Sequence, residues 1–150
     1  MNITYPLTIY FDASCRLCNS EMQNIKLHDT DNQLVLIDCS AADFDTTICQ
    51  DHNISLTEMM NRLHAQDAKG LWIIGVPAFE LIYQTVGMAT IAKLWGHPWA
   101  ERLYPWVVQH RYLLSSIGLP ALITLWGRYA ARKAEQRSRL CREGKCTIDE

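Results

Sequence analysis

Two cysteines three residues apart, Cys15 and Cys18, stand in the stretch YFDASCRLCNSEM, after an apolar run and before a polar one. Such a pair can be a redox dithiol, half of a zinc site, or two unrelated thiols. If a helix opens at Cys15, its unpaired amide N–H groups and its dipole stabilise an anion there. A thiolate is such an anion, so the Cys15 thiol should titrate below the ~8.5 of a free cysteine. Arg16 adds a neighbouring positive charge. The i, i+3 spacing puts Cys18 one turn further on the same face, close enough for a disulfide. Cys15, at the exposed helix start, is then the attacking thiolate. Cys18, deeper and with apolar neighbours, keeps a higher pKa and resolves the mixed disulfide. Asp12, three residues upstream of Cys15, either relays a proton from Cys18 or caps the turn, as Asp commonly does.

The remaining chemistry-bearing residues are less informative. Cys141 and Cys146 lie in CREGKC and could join Cys15 and Cys18 in a closed four-thiolate zinc site. They could also pair with each other, pass electrons to the first pair, or stay free. Cys39 follows an apolar run and Cys49 sits in a polar segment; neither has a partner at a recognisable spacing, and both read as structural. The five histidines are scattered without the i, i+4 spacing of a helical metal site. There is no phosphate-binding glycine loop, and no cofactor is called for.

The same chain contains the elements that would position the pair. Leu7–Phe11 (LTIYF) is a short apolar strand, suited to burial on both faces. Asp12 to Ser14 is a turn, and a helix follows with Leu17, Cys18, Met22 and Ile25 at helical spacing. Leu34–Asp38 is a second strand, so strand, helix and strand form a parallel βαβ unit. Ala41 to Ile54 has weak helical signals, and Ser55 to Glu58 forms a capping box. Arg62 to Ala65 and Leu71 to Val76 flank a turn at Asp67–Gly70 and make an antiparallel hairpin. Helices follow over 78–95, 98–110 and from 112 onward, with Trp95, Trp99 and Trp106 as a buried stripe. The expected fold is α/β: a thioredoxin-like central mixed sheet, β-α-β and then a β-hairpin, with a helical C-terminal extension. The domain boundary is placed at residues 1–115 and 116–150.

Composition narrows the function. A chain of 150 residues, 49% hydrophobic and 20% charged with a net charge of −2, is neither disordered nor fibrous, and no overall basic bias suggests nucleic acid. MNITYPLTIYF lacks the basic start of a secretory signal, which argues for the cytoplasm, where structural disulfides are rare. Charge is nevertheless uneven. Residues 112–127 carry none, whereas 128–145 hold seven of the fourteen Lys and Arg against Glu135 and Glu143. The plain interpretation is a core helix followed by a solvated basic one. The alternative is a peripheral membrane contact through 112–145.

FDASCRLCNSEM resembles the opening of the DCC family of thiol-disulfide oxidoreductases, whose pattern is an aromatic residue, Asp, Gly, any residue, Cys, two residues, Cys and a nearby Glu. The matching positions are Phe11, Asp12, Cys15, Cys18 and Glu21. RLHAQDAKGLWIIGVPAFELIY is similar to the family's hairpin, and LYPWVVQHRYLLS to its C-terminal segment, so the likeness covers about residues 5 to 115. The resemblance implies a thioredoxin-like fold with Cys15 and Cys18 as redox pair, Asp12 as third signature residue, and a protein or low-molecular-weight thiol or disulfide as partner. Two positions depart from pattern. Ala13 replaces glycine, so the turn must avoid a strongly positive φ. Where a thioredoxin places a cis-proline facing the cysteines, this chain has Glu58-Met59-Met60-Asn61; with Arg16, Met59 and Met60 become the expected substrate-facing residues.

Overall fold

The structure is a computed structural model that describes residues 2–118, 120–125, 127–129 and 132. Cys141 and Cys146, with the zinc and disulfide readings built on them, lie outside the described residues.

The first strand, β1 (Leu7–Phe11), is followed by helix α1 (Arg16–His28) and strand β2 (Leu34–Asp38). Two short helices, α2 (Thr47–Asp51) and α3 (Leu56–Asn61), lead to β3 (His64–Gln66) and β4 (Trp72–Ile74). Helices α4 (Val76–Thr85), α5 (Ala89–Trp95) and α6 (Pro98–Ser116) come next. The sheet order is β2-β1-β3-β4, with β1 parallel to β2 and antiparallel to β3, and β3 antiparallel to β4. This is the mixed sheet of a thioredoxin-like domain, with βαβ and hairpin joined as expected.

β1 is hydrogen-bonded on both edges and covered on both faces, which is why LTIYF shows no polar alternation. Leu7, Ile9 and Phe11 point to one face, where they meet Met22 and Ile25 of α1 and Ile82 of α4. Tyr10 points to the other, against Cys39, Cys49 and Met59. Cys39 and Cys49 are therefore buried packing residues. α3 opens at Ser55, whose Oγ accepts the Glu58 N–H at 3.1 Å, the N-cap half of the expected capping box.

Four expectations change, the first being that the helix expected over 78–95 is two, α4 and α5, parted at residues 86–88. The last strand ends at Ile74, because Gly75 turns the chain at φ +73° and Val76-Pro77 begin α4. α6 is continuous through Arg111 and carries Pro105 inside it, where two helices were expected. Trp95 does pack inward, stacked on Phe79 with ring centroids 4.4 Å apart. Trp99 and Trp106 do not: they remain 40% and 50% exposed. The inward stripe of α6 is Ala100, Tyr104, Arg111 and Ser115, which turns both tryptophans outward.

Candidate active site

The site is built where β1 ends and α1 begins. The register of β1 with β2 sets Phe11 beside Asp38, so two carboxylates flank the turn. Asp38 Oδ1 accepts the amides of Ala13 at 3.0 Å and Ser40 at 2.8 Å. Asp12 Oδ1 accepts the Ser14 amide at 3.0 Å and its hydroxyl at 2.5 Å. The turn closes without a positive φ at Ala13, and among the described residues only Asn32 and Asn53 adopt one outside glycine.

Cys15 is the N-cap of α1, at φ −77° and ψ 105°, and its Sγ accepts the Cys18 N–H at 3.3 Å. Capping by a sulfur places the thiol where helix amides favour negative charge. The Cys15 thiol is lowered to about 6, chiefly by a hydrogen bond from the Cys18 thiol and also by the Cys18 amide, Ser115 and the Arg111 charge, against the opposing effect of burial. Cys18 moves the opposite way, well above a free thiol, because it donates to Cys15 and is itself desolvated. The two thiols thus shift in opposite directions.

The exposure of the two thiols is the reverse of expectation. Cys15 is fully buried, whereas Cys18 is partly exposed and lines a cavity of about 300 Å³. The cause is α6, whose C-terminal turn crosses the start of α1. Ser115 Oγ accepts the Leu17 N–H at 3.1 Å, donates to the Arg111 carbonyl at 2.7 Å, and lies 4.0 Å from Cys15 Sγ.

Arg111, also on α6, is the cation beside the pair; Arg16 is exposed to solvent. Arg111 is 7% exposed and ties three segments together. One terminal nitrogen donates to Asp12 Oδ2 and the Tyr112 hydroxyl, each at 3.1 Å. The other donates to the Met60 carbonyl and Asn61 Oδ1, each at 3.1 Å. The Tyr112 hydroxyl adds a 2.8 Å bond to Asp12 Oδ2. Each Asp12 oxygen thus accepts two donors, which makes the carboxylate both the cap of the turn and the partner of Arg111.

The segment before β3, which has no proline, is clipped in place by Arg111, and Met60 lines the cavity alongside Cys18. Met59 does not reach it. It is fully buried on the opposite face of the sheet, with its Sδ 3.9 Å from Cys49 Sγ. Met59 therefore lies away from the thiols, contrary to the expectation that it faces substrate. α3 places adjacent residues on different sides, so only one of the two methionines can face the thiols.

Glu21, one turn after Cys18, lines the same cavity. Burial raises its carboxyl pKa, and the Tyr83 hydroxyl donates to it. Among the described residues no group of three or more His, Cys, Asp or Glu side chains converges to hold a metal.

Arg111, Tyr112 and Ser115 were missed as site residues. Their signal was present in HRYLLS: an arginine at the edge of a long uncharged run, with a serine four residues later on the same helical face. What could not be read was that this helix would fold back onto α1.

A family model described as DCC1-like thiol-disulfide oxidoreductase matches residues 9–116, from β1 to the last turn of α6. No curated protein matches the chain. No solved structure matches it either. The match spans more than two-thirds of the sequence and includes Asp12, both cysteines and the α6 residues that enclose them. The chain belongs to the DCC1-like thiol-disulfide oxidoreductase family.

Proposed function

We propose that the protein exchanges electrons with a disulfide through Cys15 and Cys18, in a reducing compartment such as the cytoplasm. The observation that carries this reading is the place of Cys15 at the N-cap of α1, its Sγ accepting the Cys18 N–H at 3.3 Å, which goes with a Cys15 thiol lowered to about 6 and a Cys18 thiol raised. At neutral pH the first is a thiolate and the second holds its proton. In the forward direction the Cys15 thiolate attacks one sulfur of a substrate disulfide. That S–S bond breaks, a mixed disulfide forms, and the leaving sulfur departs as a thiolate that takes a proton from solvent. Cys18 then loses its proton and attacks Cys15 Sγ. The Cys15–Cys18 disulfide forms, and the second substrate sulfur leaves as a thiol. Two electrons pass from the dithiol to the substrate, and the reverse sequence oxidises a substrate dithiol.

Because Cys15 is enclosed, attack requires the Ser115 end of α6 to move aside or the substrate to enter through the cavity at Cys18. That cavity, walled mainly by apolar side chains including Phe11, Met22, Phe79 and Trp95, favours a low-molecular-weight thiol or an apolar side chain of a protein partner. Asp12 and Arg111 are positioning residues in this scheme, holding the turn and the facing segment.

The test is alkylation of the reduced protein by iodoacetamide across pH, with modified cysteines identified by mass. Cys15 should react with a midpoint near pH 6 and Cys18 only far above it. Cys15→Ser should abolish reduction of a model disulfide. Alkylation of both thiols at the pH of a free cysteine, with no exchange activity, would sink the reading.

A further inference from the structure

α6 has two faces of opposite use. Its inner stripe encloses the cysteines. Its outer stripe is Trp99, Leu103, Trp106, Leu113 and the C-cap Ile117, at steps of four, three, seven and four with His110 in the gap, and these five are 40%, 43%, 50%, 64% and 70% exposed. A helix on a protein that meets only water puts charges on that side. The chain does the same thing again just afterward. Residues 120–125 and 127–129 are helical, and Leu122, Leu125 and Tyr129 are 64%, 63% and 65% exposed. Singly exposed apolar residues need no explanation, but successive helical faces of them do.

Three occupants can be weighed. The remainder of the chain is unsuited, because residues 133–150 contain only Leu140 and Ile148 as large aliphatic side chains among charged and polar ones. A second copy would cover the apolar residues but would not account for the cations beside them. An anionic lipid surface matches both properties. Arg128 and Arg132 are exposed immediately beside the apolar face, and residues 128–145 concentrate seven of the fourteen Lys and Arg of a chain whose net charge is −2. Apolar insertion flanked by cations, with Trp and Tyr at the boundary, is the signature of an interfacial helix. Among the described residues no helix is long and apolar enough to cross a membrane, so the contact is with the surface of the bilayer.

We infer that the outer faces of α6 and of residues 120–125 and 127–129 seat the protein on an anionic lipid surface, with Arg128 and Arg132 against the lipid headgroups. The inference is independent of which disulfide the cysteines meet. It does place the redox pair on the inner side of the helix that touches lipid.

The experiment is flotation of the full chain with phosphatidylcholine vesicles containing about one-third phosphatidylserine, and with phosphatidylcholine alone. Binding should be seen with the anionic vesicles and weaken at least about tenfold without phosphatidylserine or between ~0.1 and ~0.5 M salt. Leu113→Glu/Ile117→Glu and, separately, Arg128→Glu/Arg132→Glu should each lower binding by about tenfold or more. Leu27→Glu, which changes a residue 61% exposed on α1, should leave it unchanged. The altered residues face outward, so thermal melts confirm that each variant stays folded. Binding indifferent to both double variants would overturn the inference. So would absence of vesicle binding, whether the protein is a monomer or a dimer that Leu113→Glu/Ile117→Glu dissociates.

Discussion

The ion pair between Asp12 and Arg111 is the most constrained feature of the site at the scale of single residues. Its side chains are 0% and 9% exposed, and the charges meet at 3.1 Å. Taking two charges out of water is costly, and their attraction together with the surrounding hydrogen bonds offsets that cost. Removing one member leaves the other buried and charged. Arg111→Met should therefore destabilise the protein by roughly 3–5 kcal/mol, measured by urea unfolding. It should also raise the alkylation midpoint of Cys15, because the Arg111 charge helps hold that thiol down. Asp12→Asn/Arg111→Met should cost less than the sum of the two single changes, since no orphan charge remains. A cost for Arg111→Met under about 1 kcal/mol, with an unmoved midpoint, would mean that this pair is solvated in practice. Asp12 illustrates how a residue's type can be legible while its role is not. Its place beside a CxxC suggested either cap or relay, and its buried pairing with Arg111 and Tyr112 on α6, about a hundred residues later, was not announced there.

At the scale of elements, the site depends on one helix crossing another. α1 supplies both thiols, and α6 supplies the guanidinium, the phenol and the serine. Ser115 is the point of contact: it takes the Leu17 N–H in the first turn of α1, where the helix itself offers no acceptor. Ser115→Ala leaves that buried amide unpaired, at a cost of about 1–3 kcal/mol. It also withdraws the side chain nearest Cys15 Sγ. Alkylation should respond in two separable ways, with a midpoint shifted to higher pH and a faster plateau rate once the thiolate is formed. Ser116→Ala, one residue on and exposed, should change neither. A Ser115→Ala protein with both the midpoint and the plateau of the parent would show that α6 does not guard the thiol. The βαβ unit, the capping box and the hairpin were all legible, because each is announced by local periodicity and turn residues. The clasp of α6 on α1 was not, because helical periodicity says which face of a helix is buried but not what it is buried against. The outward Trp99 and Trp106 failed for a related reason: large aromatics ordinarily point inward, and on this helix Arg111 and Ser115 take the inner face instead.

For the whole molecule, the Cys15 thiolate couples folding, pH and redox poise. Its pKa is depressed from 9.0 to about 6 in the folded, reduced protein. A depressed acid adds nothing to stability below its folded pKa, where both states are protonated. Its contribution grows as pH rises from about 6 and is complete above about 9. By linkage this is on the order of 1 kcal/mol at pH 7, rising toward roughly 4 kcal/mol above pH 9. His64, buried and with its pKa lowered by desolvation, adds its own loss of stability in acid, so the comparison must be with Cys15→Ser, in which that loss is common. The difference in unfolding free energy between the reduced parent and the variant should rise between pH 6 and 9. The oxidised protein has no thiolate and should show no such rise. The same proton count governs the reduction potential. Below about pH 6, reduction of the Cys15–Cys18 disulfide takes up two protons with two electrons, and the potential should fall by about 59 mV per pH unit. Above it only Cys18 takes up a proton, and the slope should halve to about 30 mV per pH unit. Equilibration against glutathione buffers, with thiol trapping at each pH, measures that slope directly. A break near pH 6 assigns the thiolate to the folded reduced state, whereas a single slope of about 59 mV through pH 8 would mean that Cys15 keeps its proton and the proposed nucleophile is wrong.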